Sequence, residues 1–106
     1  METKEIEKQV IERCQNQHWA FEPNKDLRSV MEEVGELARE IRRVEDGRER
    51  PDETEPAREA IVKEMASEVG DILFALVKIA HQYGFTLEEA FTYHQQKLNE
   101  RYNEKE

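Results

Sequence analysis

The chain has 106 residues, a length that suits one domain of ordinary size and leaves no room for a second independent core. Its 25 Asp and Glu residues outnumber 16 Lys and Arg residues, which gives a formal net charge of −9. Affinity for a nucleic-acid backbone or an anionic bilayer comes mainly from clustered Lys and Arg. We therefore expect one acidic domain, residues 1–106, that binds neither polymeric nucleic acid nor a membrane.

The apolar segments are short. The longest, residues 72–77, has six residues, whereas a transmembrane helix needs about 20. Residues 1–5, METKE, lack the apolar stretch of a secretory signal, and the single Cys14 cannot form an internal disulfide. These features predict a cytoplasmic protein, and Cys14 is interpreted as a core residue of the first helix.

Helical periodicity appears in four segments and strand alternation in none, so the sequence predicts an all-α, four-helix bundle. We expect the first helix to run from an N-cap at Thr3 to Gln17, and the second from an N-cap at Asn24 to about Val44. The apolar residues of the second helix fall on one stripe, at positions 27, 30, 31, 34, 37, 38 and 41.

The second half of the chain is punctuated by turn and cap residues. The sequence predicts a solvated loop at residues 46–54. Thr54 and Pro56 mark the expected start of a third helix, which is expected to end near Tyr83. Gly84 is positioned as the stop signal of this helix. Thr86 and Glu89 form a capping box that opens the fourth helix. The apolar face of that helix is expected to contain Leu87, Phe91, His94, Leu98 and Tyr102.

The two middle helices carry the same acidic motif. Segment 33–37, EVGEL, is repeated in chemical type by segment 68–72, EVGDI. At about 100° per residue, Glu33 and Glu36 have the same offset from their apolar seam as Glu68 and Asp71 have from theirs. If the two helices pack side by side, four or more carboxylates converge.

Acidic strips on amphipathic helices are commonly only a solvated face, and Asp71 is the residue that argues against this alternative. The third helix is apolar nearly all round at positions 69–80, so we expect Asp71 to be buried. A buried carboxylate is costly unless it is paired or binds a metal. Gly35 and Gly70 lie in mid-helix and indicate the close approach of another backbone or of a ligand.

Hard divalent cations suit such a cluster, because Mg²⁺ and Mn²⁺ prefer oxygen ligands and bridge carboxylates to phosphates. Zinc is disfavoured because the chain has no Cys pair and its three His residues are not spaced as ligands. A di-iron site is excluded because no His follows a Glu at the Glu-x-x-His spacing.

Segments 32–36, EEVGE, and 68–71, EVGD, resemble the E-E-x-x-E … E-x-x-D pattern of the MazG-type all-α nucleoside triphosphate pyrophosphohydrolases. The resemblance covers about residues 16–101 and includes an aromatic loop around Trp19 and an N-x-x-L sequence at 24–27. The resemblance also includes a cluster near the end of this range, formed by Lys97, Asn99 and Arg101. The stretch between the two acidic motifs is longer than in many members, which leaves the subfamily open.

The resemblance implies Mg²⁺-dependent cleavage of a nucleoside triphosphate between the α and β phosphates, with Mn²⁺ as a substitute ion. Glu33, Glu36, Glu68 and Asp71 would hold the metal, and Glu32 would orient the attacking water. Lys97 and Arg101 would grip phosphate oxygens, or would only form a solvated helix face. Trp19 or Phe21 would stack on the base, or both would only pack.

Two other functions stay open, a phosphoribosyl-ATP pyrophosphohydrolase and a non-catalytic helical module that binds a basic partner through its acidic strips. The third helix is more apolar than a chain of this size can cover. Together with the resemblance, this predicts a homodimer or homotetramer that completes the bundle.

Overall fold

The structure is a computed structural model, and it describes residues 1–47, 51–52 and 57–102. These residues form four α-helices, namely α1 (Thr3–Gln17), α2 (Pro23–Asp46), α3 (Arg58–Tyr83) and α4 (Leu87–Tyr102). Strands are absent from the described ranges, so the predicted all-α class with four helices is confirmed. In the same ranges, no helix combines the length and the apolar character that crossing a membrane requires.

The chain divides into two compact units. One contains Met1–Pro23 and Val77–Glu106, and the other contains Asn24–Leu76. The first unit therefore holds α1, α4 and the last turns of α3, whereas the second holds nearly all of α2 and the larger part of α3.

The helices α1 and α3 end in the same backbone motif. His18 and Gly84 have left-handed φ angles of 58° and 79°, and the next residue bonds back to the last turn. The N–H of Trp19 donates to the carbonyl of Cys14 at 2.9 Å, and the N–H of Phe85 donates to that of Ala80 at 3.1 Å. The predicted stop at Gly84 is confirmed, whereas the use of a His in this conformation was not predicted.

The helix starts were predicted less well. The capping box of α4 is confirmed, since the N–H of Thr86 donates to Glu89 Oε1 and the N–H of Glu89 donates to Thr86 Oγ1, both at 3.1 Å. The expected N-caps at Thr3 and Asn24 are wrong, because both residues lie inside their helices. At α2 a Pro occupies the first helical position, where the missing N–H has no cost. The expected start of the third helix at Thr54 and Pro56 lies outside the described residues.

In the first unit, α1 buries Val10 and Cys14, as their spacing predicts. The carboxylate of Glu7 accepts a hydrogen bond from the N–H of Leu87, so α1 supplies a partner to the first turn of α4. The expected apolar face of α4 is covered only in part, because Phe91 and Tyr102 remain exposed.

In the second unit, α2 and α3 match each other at an offset of 35 residues in burial as well as in chemistry. The buried or half-buried pairs are Val30 and Met65, Glu33 and Glu68, Leu37 and Ile72. The exposed apolar pairs are Leu27 and Val62, Val34 and Val69, Ile41 and Leu76. Each helix thus has one face turned into the unit and a second apolar seam at the surface. We call these exposed positions, with Met31 and Ala66, the outer seams.

Candidate active site

Three glutamates from the two acidic motifs meet in the second unit. Glu33 and Glu36 on α2 and Glu68 on α3 each offer one carboxylate oxygen, and these three oxygens lie within 4.8 Å of one another. The predicted convergence of carboxylates from the two helices is therefore present for three of the four residues.

Helix periodicity explains how these side chains reach each other. Glu33 shares a helix face with the half-buried Val30 and Leu37, because residues three and four apart lie on one side. Glu68 is placed in the same way on α3. Glu33 and Glu68 each have one buried carboxylate oxygen, Oε2, to which no described group donates a hydrogen bond. Such atoms are costly unless a ligand completes their coordination.

The proximity of the three acids changes the titration of one of them. When Glu68 is protonated, it can donate a hydrogen bond to the Glu33 carboxylate. This hydrogen bond favours the protonated form and raises the pKa of Glu68 from 4.5 to about 7. Partial burial and repulsion from Glu33 and Glu36 act in the same direction. The cluster therefore takes up a proton near neutral pH when nothing else neutralises it.

Asp71 and Glu32 do not belong to this close group, and both are exposed. The prediction that Asp71 is buried among apolar side chains is wrong for this chain. Its apolar neighbour Val69 is itself 53% exposed, so this part of α3 is apolar without being covered. Periodicity reports the polarity of a helix face but not which neighbour covers that face.

At the two mid-helix glycines the expected close backbone is not found, whereas the approach of a ligand stays a prediction. Gly35 and Gly70 are exposed, and no described atom lies within 4 Å of the place where a Cβ would stand. No backbone in the described part of the chain approaches them closely. A mid-helix Gly costs about 1 kcal/mol of stability relative to Ala, and packing among the described residues does not explain that cost here.

An ion pair that the sequence analysis did not identify follows the acidic motif of α2. Arg43 Nη1 lies 3.1 Å from Glu40 Oε2, and Glu40 is buried. The spacing of opposite charges at i and i+3 was the available signal.

The residues predicted to bind substrate belong to the first unit. Trp19 is 49% exposed, whereas the Phe21 ring lies 5.0 Å from that of His81 and beneath the Lys78 ammonium. Lys97 and Arg101 are exposed on α4. About half of Trp19 is thus exposed to solvent, while Phe21 is engaged with His81 and Lys78.

The donor set of the cluster fits a hard divalent cation. It consists only of carboxylate oxygens, and Glu33 and Glu68 each have a buried oxygen that accepts no hydrogen bond from the described residues. Mg²⁺ and Mn²⁺ prefer such ligands, and a cation removes the repulsion that raises the pKa of Glu68.

Comparison with known proteins points to the same chemistry. Residues 21–105 match the model of the MazG nucleotide pyrophosphohydrolase domain. The chain is 37% identical over 103 residues to the uncharacterized protein YvdC of Bacillus subtilis (strain 168). The alignment covers 96% of this chain and 97% of YvdC.

A solved structure has a similar fold. The crystal structure of the putative pyrophosphatase YPJD from Bacillus subtilis aligns with a TM-score of 0.71 and 33% identity, over 93% of this chain and 96% of that chain. The acidic motifs, their convergence and these similarities favour an enzyme over a non-catalytic acidic module. The chain belongs to the MazG nucleotide pyrophosphohydrolase family.

Proposed function

We propose that the chain is a single-domain, Mg²⁺-dependent nucleoside triphosphate pyrophosphohydrolase that cleaves the bond between the α and β phosphates. The observation that carries the proposal is the meeting of Glu33, Glu36 and Glu68 in a chain of the MazG family. In this reaction water adds to a phosphorus atom, and the products are a nucleoside monophosphate and pyrophosphate.

The acidic residues have distinct roles in this proposal. Glu33, Glu36 and Glu68 hold the metal, and Asp71 joins them as a fourth ligand from the adjacent turn of α3. A bound Mg²⁺ supplies neutralisation of phosphate charge and a lowered pKa for a coordinated water. Glu32 precedes the first ligand, and its exposed carboxylate is the one we assign to orienting the attacking water.

We assign substrate contacts to three residues that are exposed in the structure. We assign Trp19, which is 49% exposed, to stacking on the base. Lys97 and Arg101 lie four residues apart on α4, a spacing that places both cations on one helix face, and we assign them to the phosphate chain.

We also propose that the protein assembles as a homodimer or homotetramer through the outer seams of α2 and α3. Met31 is 67% exposed and Val34 is 49% exposed, and the same pattern recurs on α3. Contiguous apolar surface of this kind is uncommon on a small monomer. Gly35 and Gly70 border the seams, where the missing Cβ would let a helix of another copy approach closely.

A substrate panel tests the proposed reaction. Canonical and modified nucleoside triphosphates, with phosphoribosyl-ATP, are incubated with the protein and Mg²⁺, and products are separated by chromatography. We expect monophosphate and pyrophosphate, loss of turnover in Glu33→Gln, and wild-type turnover in Glu12→Gln, an exposed change on α1. Release of diphosphate and orthophosphate would contradict the bond assignment, and selective cleavage of phosphoribosyl-ATP would establish the alternative substrate.

A further inference from the structure

Arg43 points back along α2 toward the acidic cluster. Its guanidinium lies 3.1 Å from Glu40 Oε2, and the two side chains are 27% and 12% exposed. Glu40 lies one turn beyond Glu36 on the same helix. Since side chains on a helix lean toward its N-terminus, the Arg43 side chain extends in the direction of the cluster and not toward the loop that follows α2.

Helix geometry places Arg43 on the same strip as the metal-binding acids. Seven residues separate Glu36 from Arg43, which corresponds to almost two full turns and a rise of about 10.5 Å. The Arg43 side chain is long enough to cover part of this distance toward the carboxylates. An extended polyphosphate bound at the carboxylates can cover the rest.

The same spacing recurs on α3. Lys78 follows Asp71 by seven residues, as Arg43 follows Glu36, so each acidic motif of the internal repeat has a cation two turns further along. This recurrence is one of sequence spacing only, because in the structure the Lys78 ammonium lies over the Phe21 ring.

Charge balance supplies the reason for such a residue. Three carboxylates outweigh the charge of one divalent ion, and a triphosphate adds further negative charge. Arg binds phosphate oxygens through two parallel N–H donors, a geometry that a carboxylate partner such as Glu40 keeps in place until the phosphate arrives.

We propose that Arg43 is a substrate-binding residue that exchanges Glu40 for the phosphate group furthest from the acidic cluster when a triphosphate binds. This assignment rests on the proposed function. It adds a phosphate contact from α2 itself, separate from Lys97 and Arg101 on α4.

Binding of Mg²⁺-tripolyphosphate, measured by calorimetry, tests the assignment without a nucleoside. We expect Arg43→Gln to weaken binding roughly 10–100-fold, the effect of losing one charged hydrogen-bonding partner. Mg²⁺ affinity without phosphate should stay within about twofold, and affinity for Mg²⁺-pyrophosphate should fall less because its chain is shorter. Arg28→Gln is the matched control, since Arg28 is exposed on α2 about 140° around the helix from Glu33.

Glu40→Gln separates binding from packing, because it leaves Arg43 free for phosphate and should keep or strengthen tripolyphosphate binding. The double variant Glu40→Gln/Arg43→Gln avoids a buried unpaired charge and should lose binding like Arg43→Gln. Tripolyphosphate affinity unchanged in both Arg43 variants, equal losses in Glu40→Gln and Arg43→Gln, or no binding by the wild type would each overturn the assignment. Pyrophosphate release from nucleoside triphosphates by the wild type tests the proposed function independently.

Discussion

Glu33 on α2 and Glu68 on α3 stand at equivalent positions of an internal repeat, 35 residues apart, and their carboxylates meet with that of Glu36. Each of the two has a buried oxygen that accepts no hydrogen bond from the described residues. Two carboxylates at this separation repel each other unless a proton or a cation lies between them. The repeat thus produces a cluster of carboxylates whose negative charge the described residues do not neutralise.

The first prediction concerns Glu68→Gln. Without metal, this change removes a charge that repels Glu33 and Glu36, so the melting temperature in EDTA should be unchanged or higher than that of the wild type. With Mg²⁺, the wild type should gain about 2.7 kcal/mol at a hundredfold excess over Kd, and the variant should gain far less. Thermal melts with EDTA and with Mg²⁺ measure both effects.

The control for this experiment is Glu64→Gln, an exposed acid one turn before Glu68 on α3. It should melt like the wild type under both conditions. A Glu68→Gln protein that is strongly destabilised in EDTA but keeps the full Mg²⁺ shift would show that Glu68 has a structural partner and no metal role.

The second prediction is a pH dependence of the metal-free protein. The pKa of Glu68 is raised to about 7 in the folded chain, above its ordinary value of 4.5, so the folded state binds more protons between these two values. The stabilisation from this proton is complete below pH 4.5 and is lost as pH rises through 7. The free energy of unfolding in EDTA should therefore fall more steeply over this interval in the wild type than in Glu68→Gln.

Chemical denaturation in EDTA at a series of pH values, with both proteins, gives the difference directly. Saturating Mg²⁺ should abolish it, because the metal replaces the proton. Parallel pH profiles for the two metal-free proteins would contradict the raised pKa.

Local signals in the sequence predicted much of the fold. The end of α3 at Tyr83 follows from Gly84, and the start of α4 follows from the reciprocal bonds of Thr86 and Glu89, since each signal involves residues close along the chain. The expected cap at Asn24 was wrong because Pro23 competes for the start of α2. Cap preferences differ by little more than 1 kcal/mol, so a neighbouring residue can override them.

The features of the candidate site that depend on the spacing of the repeat were predictable from the sequence. The features that depend on which neighbour buries a helix surface were not. The meeting of Glu33, Glu36 and Glu68 follows from matched helix faces. The exposure of Asp71 did not, because an apolar helix surface is compatible with burial in the chain, burial by another copy or exposure. The spacing of Glu40 and Arg43 was compatible with an ion pair, but only the structure gives the 3.1 Å contact between them.

The third prediction concerns Gly84→Ala. A non-glycine residue in the left-handed region destabilises the folded chain by roughly 1–2 kcal/mol. Gly84 lies in this region, with a φ of 79°. No described atom lies within 4 Å of the added Cβ, so the loss comes from the backbone alone. His18→Gly at the equivalent end of α1 should raise the stability of the folded chain or leave it unchanged. His18 already adopts the left-handed conformation, which glycine adopts without a steric cost. Urea denaturation compares both variants with the wild type, and equal stability of Gly84→Ala and the wild type would contradict the argument.

The fourth prediction tests the outer seams. Met31→Glu places a charge on a side chain that is 67% exposed in the single chain, so it should not disturb the unit itself. If copies associate through the seams, the variant should shift toward the 12.6 kDa monomer, whereas Tyr93→Ser, an exposed change on α4, should leave the wild-type assembly intact. Light scattering at micromolar concentration measures the masses. A monomeric wild type would rule out the proposed assembly.

The last prediction concerns Asp71, which is exposed and lies outside the close group of three glutamates. Because no buried partner is lost, Asp71→Asn should melt like the wild type in EDTA, without the roughly 3–5 kcal/mol loss that follows disruption of a buried ion pair. If Asp71 completes the metal site from the next turn of α3, the variant should show a smaller Mg²⁺ shift than the wild type but a larger one than Glu68→Gln, together with reduced turnover. Melting temperatures with EDTA and Mg²⁺, and pyrophosphate release under the same conditions, separate the two properties. Full activity and a full Mg²⁺ shift in Asp71→Asn would remove Asp71 from the metal site and leave Glu33, Glu36 and Glu68 as the protein ligands.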